Sequence, residues 1–348
     1  MKNGKPTIKE IAEKTGVSIG TVHRAIYGKE GVGEETRKRI LAEVEKMNFQ
    51  IDAAASSLKR KTMNIAVVLP QPKGEDQYYF RGIWEGIREA AEEVMKYKIN
   101  FIYIESEYRI DKLSKELQKL YDTILDDING LITFSDTNDS NEWIARFYKQ
   151  GVTTVLISSY GRIENYFCSI KVDHVKAGRL AAEFLSGALP SETGKILLLS
   201  GNADLFSNQN YASGFLEDIK RRGIKNELIT LDGFGKVDVE ERCRALLETE
   251  DICAIFCCNA RNTYILCQLL EQRKEKKPLF IGTDVFYELK PYFENGTLTA
   301  SIYQSNKEQG KMAVEVLYRY LTTGSRSRSQ EFVPIGLVMK SNCEYYIN

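Results

Sequence analysis

Residues 7–26 read Thr7-Ile8-Lys9-Glu10-Ile11-Ala12-Glu13-Lys14-Thr15-Gly16-Val17-Ser18-Ile19-Gly20-Thr21-Val22-His23-Arg24-Ala25-Ile26. Thr7 and Glu10 form a capping box, in which a hydroxyl and a carboxylate satisfy two orphan amides at a helix start. Ile8, Ile11 and Ala12 then share one face, and Gly16 stands where a left-handed C-terminal cap turns the chain. Ser18 caps a second short helix over 19–26. Its Val22 and Ile26 point inward, leaving Ile19, Gly20, Thr21, His23 and Arg24 on the outer face. A third helix, Glu34 to Met47, has Ile40, Val44 and Met47 on its buried side and Arg37, Lys38 and Arg39 near its start. This pattern predicts a helix-turn-helix with a closing helix, an arrangement that lays its second helix in the DNA major groove.

The charge distribution agrees with that pattern. Residues 1–61 hold thirteen Lys or Arg against eight Asp or Glu, whereas the other 287 residues hold 35 against 40. A basic piece on a mildly acidic body is the footprint of a nucleic-acid-binding head on a separate domain. At 348 residues the chain has room for two to three domains. With 43% hydrophobic residues, 28% charged and 7 prolines it is neither disordered, collagenous nor a coiled coil. No run approaches the roughly 18 to 20 apolar residues that span a bilayer. The start, Met1-Lys2-Asn3-Gly4-Lys5-Pro6, leads into a charged amphipathic segment rather than a secretory h-region, so a cytoplasmic location is expected. Seven cysteines without a C-x-x-C pair read as reduced core thiols. Two histidines, His23 and His174, leave little from which to build a zinc site or a His-dependent triad.

From Asn64 onward strands and helices alternate. Ile65 to Leu69 is a continuous apolar run stopped by Pro70, as in a buried parallel strand, and a helix follows over Phe80 to Tyr97. Further strands are predicted at 99–105, 130–135, 153–158, 195–200, 227–232, 253–258, 278–283 and 299–304, with helices between them. So many β-α units predict two doubly wound α/β lobes with a cleft between them, and ligands in such sheets bind beyond the carboxyl ends of the strands. No G-x-G-x-x-G opens a helix after a strand, the Gly187 to Lys195 segment has the wrong spacing for a phosphate loop, and the G-x-S-x-G at Gly16-Val17-Ser18-Ile19-Gly20 joins the two head helices rather than following a strand. Neither an enzyme nor a cofactor or metal site is expected. A periplasmic sugar receptor would have this body without the basic head.

The run at 7–26, with T-R-K-R-I at 36–40 and A-A-A-S-S-L-K at 53–59, resembles the head and hinge of the lactose-repressor/galactose-repressor family. The resemblance implies that Thr7, Ser18, Thr21, His23 and Thr36 anchor phosphates while Ile19, Gly20 and Arg24 face bases. It makes Leu58 the hinge residue that wedges into the minor groove beside Ala55, which requires two hinges from a symmetric dimer. His23 stands where the family usually has Ser, Gly20 is small for a base-reading position, and Gln50-Ile51-Asp52 lacks the usual Pro-Asn. The implied division is a head over 1–49, a hinge over 50–61 and a ligand-binding and dimerisation domain over 62–348. Its N-lobe would take about 62–160 and 291–322, and its C-lobe about 161–290 and 323–348.

The body resembles the effector domain of the same family, with the fold of periplasmic sugar-binding proteins, over essentially all of 62–340. The matching pieces are V-D-H-V-K-A-G-R-L-A-A-E-F-L at 172–185, Y-A-S-G-F at 211–215, F-C-C-N at 256–259, F-I-G-T-D at 280–284 and T-A-S-I-Y-Q at 299–304. By resemblance Asn259, Asp284 and Gln304 hydrogen-bond the ligand, the aromatic cluster Tyr78-Tyr79-Phe80 offers an apolar face, and Asp136 and Tyr211 complete the candidates. Each has an alternative: Asp284 could cap the next helix, Asn259 could be a turn residue, Gln304 could satisfy buried backbone, and Tyr78 to Phe80 and Trp84 could be core. Tyr211 replaces a common arginine, and Asn259-Ala260-Arg261 a common Asn-Asp, so the ligand is not gripped as in a typical monosaccharide-binding member. The expectation is a homodimeric, ligand-responsive transcription regulator, a repressor rather than an activator, with operator DNA and a carbohydrate effector as partners.

Overall fold

The computed structural model describes residues 6–26, 30–47, 49, 61–74, 77–107, 110–135, 138–158, 165–189, 193–203, 205–233 and 236–347. The hinge candidates Ala55 and Leu58, and the ligand candidate Asp136, lie outside the described residues.

The head consists of α1 (Ile8–Thr15), α2 (Ile19–Ile26) and α3 (Glu34–Lys46). The capping box is formed: the Thr7 amide donates to Glu10 Oε2 at 2.7 Å and the Glu10 amide to Thr7 Oγ1 at 3.3 Å. Gly16, at φ 66°, makes the left-handed turn. Ser18 Oγ accepts the Thr21 amide at 3.1 Å and so opens α2. Ile11, Ala12, Val22, Ala25 and Ile40 form a small closed core. Ala25 rather than Ile26 is the fully buried residue at the end of α2, with Ile26, Val44 and Met47 packed around it. Arg37 ties α3 to the end of α2 by donating to the Ala25 carbonyl at 3.1 Å, where a cation also meets the negative end of the helix.

The body holds two six-stranded sheets. The first contains β1 (Met63–Pro70), β2 (Ile99–Ser106), β3 (Gly130–Phe134), β4 (Thr153–Ile157), β5 (Cys168–Lys171) and β11 (Gln330–Phe332), in the order 2-1-3-4-5-11. The second contains β6 (Lys195–Gly201), β7 (Glu227–Asp232), β8 (Ile252–Cys257), β9 (Leu279–Thr283), β10 (Ala300–Tyr303) and β12 (Gly336–Met339), in the order 7-6-8-9-10-12. The two orders are the same pattern repeated. All pairings are parallel except β10 with β12. The inner strands are apolar and buried, as in the fully buried run Ile65 to Leu69, whereas the outer strands β2, β7 and β11 carry exposed polar residues. Around the first sheet lie α4 (Gln77–Met95), α5 (Ile110–Ile124), α6 (Asn138–Lys149) and α12 (Asn306–Thr323); around the second lie α7 (His174–Ala188), α8 (Phe206–Arg221), α9 (Lys236–Thr249), α10 (Ala260–Glu271) and α11 (Lys290–Glu294).

Sheet membership corrects the expected lobe boundaries. β5 pairs with β4, so the first lobe runs on to Lys171 rather than ending near 160. β10 pairs with β9, so 291–303 belongs to the second lobe, and β11 pairs with β5, returning 330–332 to the first. The physical reason is hydrogen bonding: short strands such as β5 and β11 carry little periodicity and are placed by the edge they complete. The chain therefore passes between lobes three times, at 172–173, 304–305 and 333–335.

Each lobe contains one very close helix crossing. A Cβ on Gly86 of α4 would lie 1.9 Å from the Lys307 carbonyl oxygen of α12, and one on Gly310 would lie 2.2 Å from that of Ile83. In the second lobe a Cβ on Gly178 of α7 would meet the Tyr211 carbonyl at 2.2 Å, and one on Gly214 of α8 that of Val175 at 2.1 Å. Gly178→Ala is expected to destabilise the second lobe by about 1–3 kcal/mol through forced separation of α7 and α8. Gly187→Ala, where a Cβ would meet nothing within 4 Å, is expected to gain about 0.5–1 kcal/mol. Urea unfolding of both variants checks the contrast, and equal effects would refute the close-packing account.

Candidate functional site

The head presents one chemically suited face. Ile19, at 54% exposure, lies with Gly20 and Arg24 on the solvent side of α2. Ser18 Oγ and Thr21 Oγ1 meet at 2.9 Å at the positive end of that helix, a place suited to a phosphate. Thr7 is exposed at the start of α1, while His23 in α2 and Thr36 in the first turn of α3 are half-buried. Gly20 is not demanded by packing, because an added Cβ would find only Ser18 Oγ, at 3.8 Å. A glycine inside a helix costs about 1 kcal/mol relative to alanine, so packing within the head does not account for it.

In the body, the strand ends and the crossovers converge. Asp284 follows β9 in a left-handed conformation, φ 69°, and is fully buried. Its Oδ2 accepts Gln304 Nε2 at 2.9 Å and its Oδ1 accepts Asn306 Nδ2 at 3.0 Å. Gln304 Oε1 lies 3.0 Å from His174 Nε2, and since that oxygen can only accept, His174 carries its proton on Nε2. Tyr211 stacks on the His174 ring, centroids 4.7 Å apart. Gln304 sits in the second crossover and His174 directly after the first. Ser305 Oγ donates to the Pro334 carbonyl at 2.7 Å, tying the second crossover to the third. On the first-lobe side Tyr79 donates its hydroxyl to Ser158 Oγ at 2.6 Å, and Ser158 donates to Gln309 Oε1 at 2.7 Å. Of the four described non-glycine residues with positive φ, Ser158, Asp284 and Ser305 all belong to this network. Each such residue costs about 1–3 kcal/mol, strain that concentrates where function fixes the backbone.

The sequence candidates divide accordingly. Asp284 does not cap a helix; it accepts two side-chain amides. Gln304 spends its side chain on Asp284 and His174 rather than on buried backbone. Asn259 does cap, its Oδ1 accepting the Asn262 amide at 2.9 Å at the start of α10. Its Nδ2 remains buried without a partner among the described residues. A Cβ on Gly201, φ 84°, would come within 2.5 Å of Nδ2 of both Asn208 and Asn259, so the glycine admits both amides to the end of β6. Phe80, 3% exposed and edge-on to Phe134, is first-lobe core rather than cleft. Tyr211, 2% exposed, stands behind His174 rather than beside Asp284. Tyr78 reaches across to the second lobe, its ring 4.6 Å from Phe286 and 5.0 Å from Tyr264, and Arg81 follows it with an ion pair to Glu288 at 3.0 Å. Tyr79, expected as part of an apolar face, instead donates its hydroxyl to Ser158, and His174, Asn306 and Ser158 were not singled out as ligand contacts by sequence. Asn306 lies two residues beyond the matched piece that ends at Gln304 and His174 lies inside the piece at 172–185, and that adjacency was the available signal.

All seven cysteines are free thiols, and burial pushes Cys257, Cys243 and Cys168 up to about 12, so they stay protonated. Among the described residues no cluster of ligating side chains is placed to hold a metal, and no helix is long and apolar enough to cross a membrane.

A three-helix head of helix-turn-helix form and a two-lobed α/β body hinged at three crossovers define a class: a DNA-binding head joined to a periplasmic-binding-protein-like ligand domain. The family of bacterial regulatory proteins, lacI family, matches residues 7–52, and the periplasmic binding protein domain matches 65–325. Catabolite control protein A of Streptococcus mutans is 27% identical over 220 residues, 63% of this chain and 62% of that protein. The HTH-type transcriptional repressor PurR of Pasteurella multocida is 24% identical over 332 residues, 93% of this chain and 94% of its own length. Among solved structures, an ABC-transporter solute-binding protein of Burkholderia graminis in complex with D-arabinose aligns with a TM-score of 0.72 at 15% identity, over 83% of this chain and 99% of that one. The chain belongs to the lacI family of bacterial regulatory proteins, with a periplasmic binding protein domain as its body.

Burial pushes the Asp284 carboxyl up to about 7 against the two amide donors that favour its charge, and lowers His174 to about 4 against its bond to Gln304. The signs oppose. For Asp284, raised above its ordinary 3.8, the contribution to stability is present at low pH and is lost between about pH 4 and 7. For His174, lowered from 6.5, the contribution is present above about pH 6.5 and is lost as pH falls towards 4. Relative to wild type, Asp284→Asn should gain stability as pH rises from 4 to 7, and His174→Gln should lose it from 4 to 6.5. Urea unfolding at half-unit pH steps reads both, and slopes of the same sign would contradict this assignment.

Proposed function

We propose that the protein is a cytoplasmic repressor that binds a pseudo-palindromic operator as a homodimer and takes a small neutral carbohydrate between its lobes. In this reading α2 enters the major groove, Ile19, Gly20 and Arg24 face base edges, and Thr7, Ser18, Thr21, His23 and Thr36 anchor phosphates. The hinge over 50–61 orders on cognate DNA, with Leu58 and Ala55 in the minor groove. Asn259, Asp284 and Gln304 hold the effector. The observation that carries the reading is that Asp284, Gln304 and His174, bonded in series, occupy the strand ends and the crossovers together. A ligand that bonds Asp284 therefore acts on the joint between the lobes. Changing the lobe angle moves the two hinges of a dimer relative to each other, with a coupling of about 1–3 kcal/mol between sites. Occupancy of a promoter by the clamped dimer suffices for repression. The D-arabinose complex of the similarly folded solute-binding protein supports a sugar-sized ligand.

Fluorescence anisotropy of the full-length protein on pseudo-palindromic duplexes and on scrambled DNA, at one fixed salt concentration, tests the head. A preference of roughly a thousandfold is expected for the cognate duplex. Arg24→Ala should cost about 1–3 kcal/mol on that duplex and leave scrambled DNA much less affected. Equal weak binding to both, with and without added sugars, would refute an operator-reading head.

A further inference from the structure

Asn306, the first residue of α12, joins the two lobes. Its Nδ2 donates to Asp284 Oδ1 in the second lobe at 3.0 Å and to the Tyr79 carbonyl in the first at 3.2 Å. Both partners are acceptors, so the amide cannot be reversed without setting oxygen against oxygen. Its orientation is fixed by chemistry. The consequence is that Oδ1 is left over: it is buried, in a residue only 9% exposed, and has no hydrogen-bond donor among the described residues. A buried carbonyl without a donor is costly, and in a ligand cleft it marks a place where a ligand supplies the missing bond. Beside it, the Asp284 carboxylate has used two of its roughly four acceptor positions. Two neighbouring acceptors call for two neighbouring donors. Asn259 Nδ2, at the end of β8, is a buried donor without an acceptor among the described residues. α4 also closes on this side chain, since a Cβ on Gly82 would touch Asn306 Cβ at 3.1 Å, which leaves little room for a longer residue.

We propose that Asn306 is a further effector-contacting residue, whose carbonyl accepts one hydroxyl of a vicinal pair while Asp284 accepts the other. The assignment rests on the reading of the cleft as a carbohydrate site. It also gives the ligand a direct hold on the hinge. α12 belongs to the first lobe, so the Asn306–Asp284 bond crosses between lobes and breaks when they part, and a diol bonded to both residues replaces or reinforces that bond. An effector lacking one of the two hydroxyls loses its hold on Asn306 and, with it, part of its preference for the closed form.

The experiment is titration calorimetry of the full-length protein with D-ribose, D-arabinose, D-galactose, D-glucose and myo-inositol, followed by the single-deoxy analogues of whichever binds. Wild type is compared with Asn306→Ala, and with Asn306→Ser in case the alanine variant does not fold. In wild type one deoxy analogue should bind at least about tenfold more weakly than its parent. In the variant that single penalty should vanish while those of the other deoxy positions persist, a pattern that a merely structural asparagine does not produce. If every deoxy analogue keeps its wild-type penalty in the variant, or all affinities fall by one common factor, Asn306 does not touch the ligand and the proposal is overturned. If wild type binds none of the five probes, the carbohydrate reading of the cleft fails and the assignment falls with it. The two failures are told apart by the wild-type titration alone.

Discussion

A carboxylate taken wholly out of water must be met by donors or give up its charge, and Asp284 is met by donors that arrive from the segments joining the lobes. Gln304 comes from the second crossover, Asn306 from the helix just beyond it, and His174, behind Gln304, from the end of the first. Hydrogen-bond direction then propagates outward: Asp284 accepts, which fixes the two amides, which fixes the tautomer of His174. One buried acid thus sets the orientation of two amides and one imidazole. The left-handed backbone at Asp284 and Ser305 is tolerable because these bonds, with that from Ser305 to Pro334, over-determine it.

Rigidity elsewhere makes this joint matter. In each lobe a pair of helices approaches to the distance that only glycine permits, Gly86 and Gly310 in one, Gly178 and Gly214 in the other. Such close-packed bodies move as units rather than deforming continuously. The covalent connections between these bodies are the three segments 172–173, 304–305 and 333–335. Tyr78 and Arg81 add a second line of contact across the lobes, through Phe286, Tyr264 and Glu288.

The head folds around a core of five buried residues with Ile8, Val17, Ile26, Val32, Val44, Met47 and Phe49 packed against it. Its basic surplus lies in a short piece of the chain, which favours association with a polyanion at any sequence, and the exposed side of α2 presents an apolar residue, a bare backbone and a guanidinium.

The sequence by itself determined the head, the two-lobed α/β body and the family, because capping residues, helical periodicity and unbroken apolar strand runs are local signals that the tertiary structure had no cause to override. It also placed Asp284, Gln304 and Asn259 at strand ends, since those follow directly from where the apolar runs stop. What only the tertiary structure decided was membership and partnership. Cys168–Lys171 and Gln330–Phe332 are too short to announce which sheet they complete, and the hydrogen bonds to β4 and β5 decide it. Phe80 and Tyr211 are aromatic residues next to a cleft in sequence, yet packing turns one into the first-lobe core and the other behind His174. Asn306 carries no pattern of its own; its role arises because Asp284 and the Tyr79 carbonyl, more than 20 and 220 residues away, present two acceptors to one amide. Polar partnership of that kind depends on distance and direction in space, and neither is written in the order of residues along the chain.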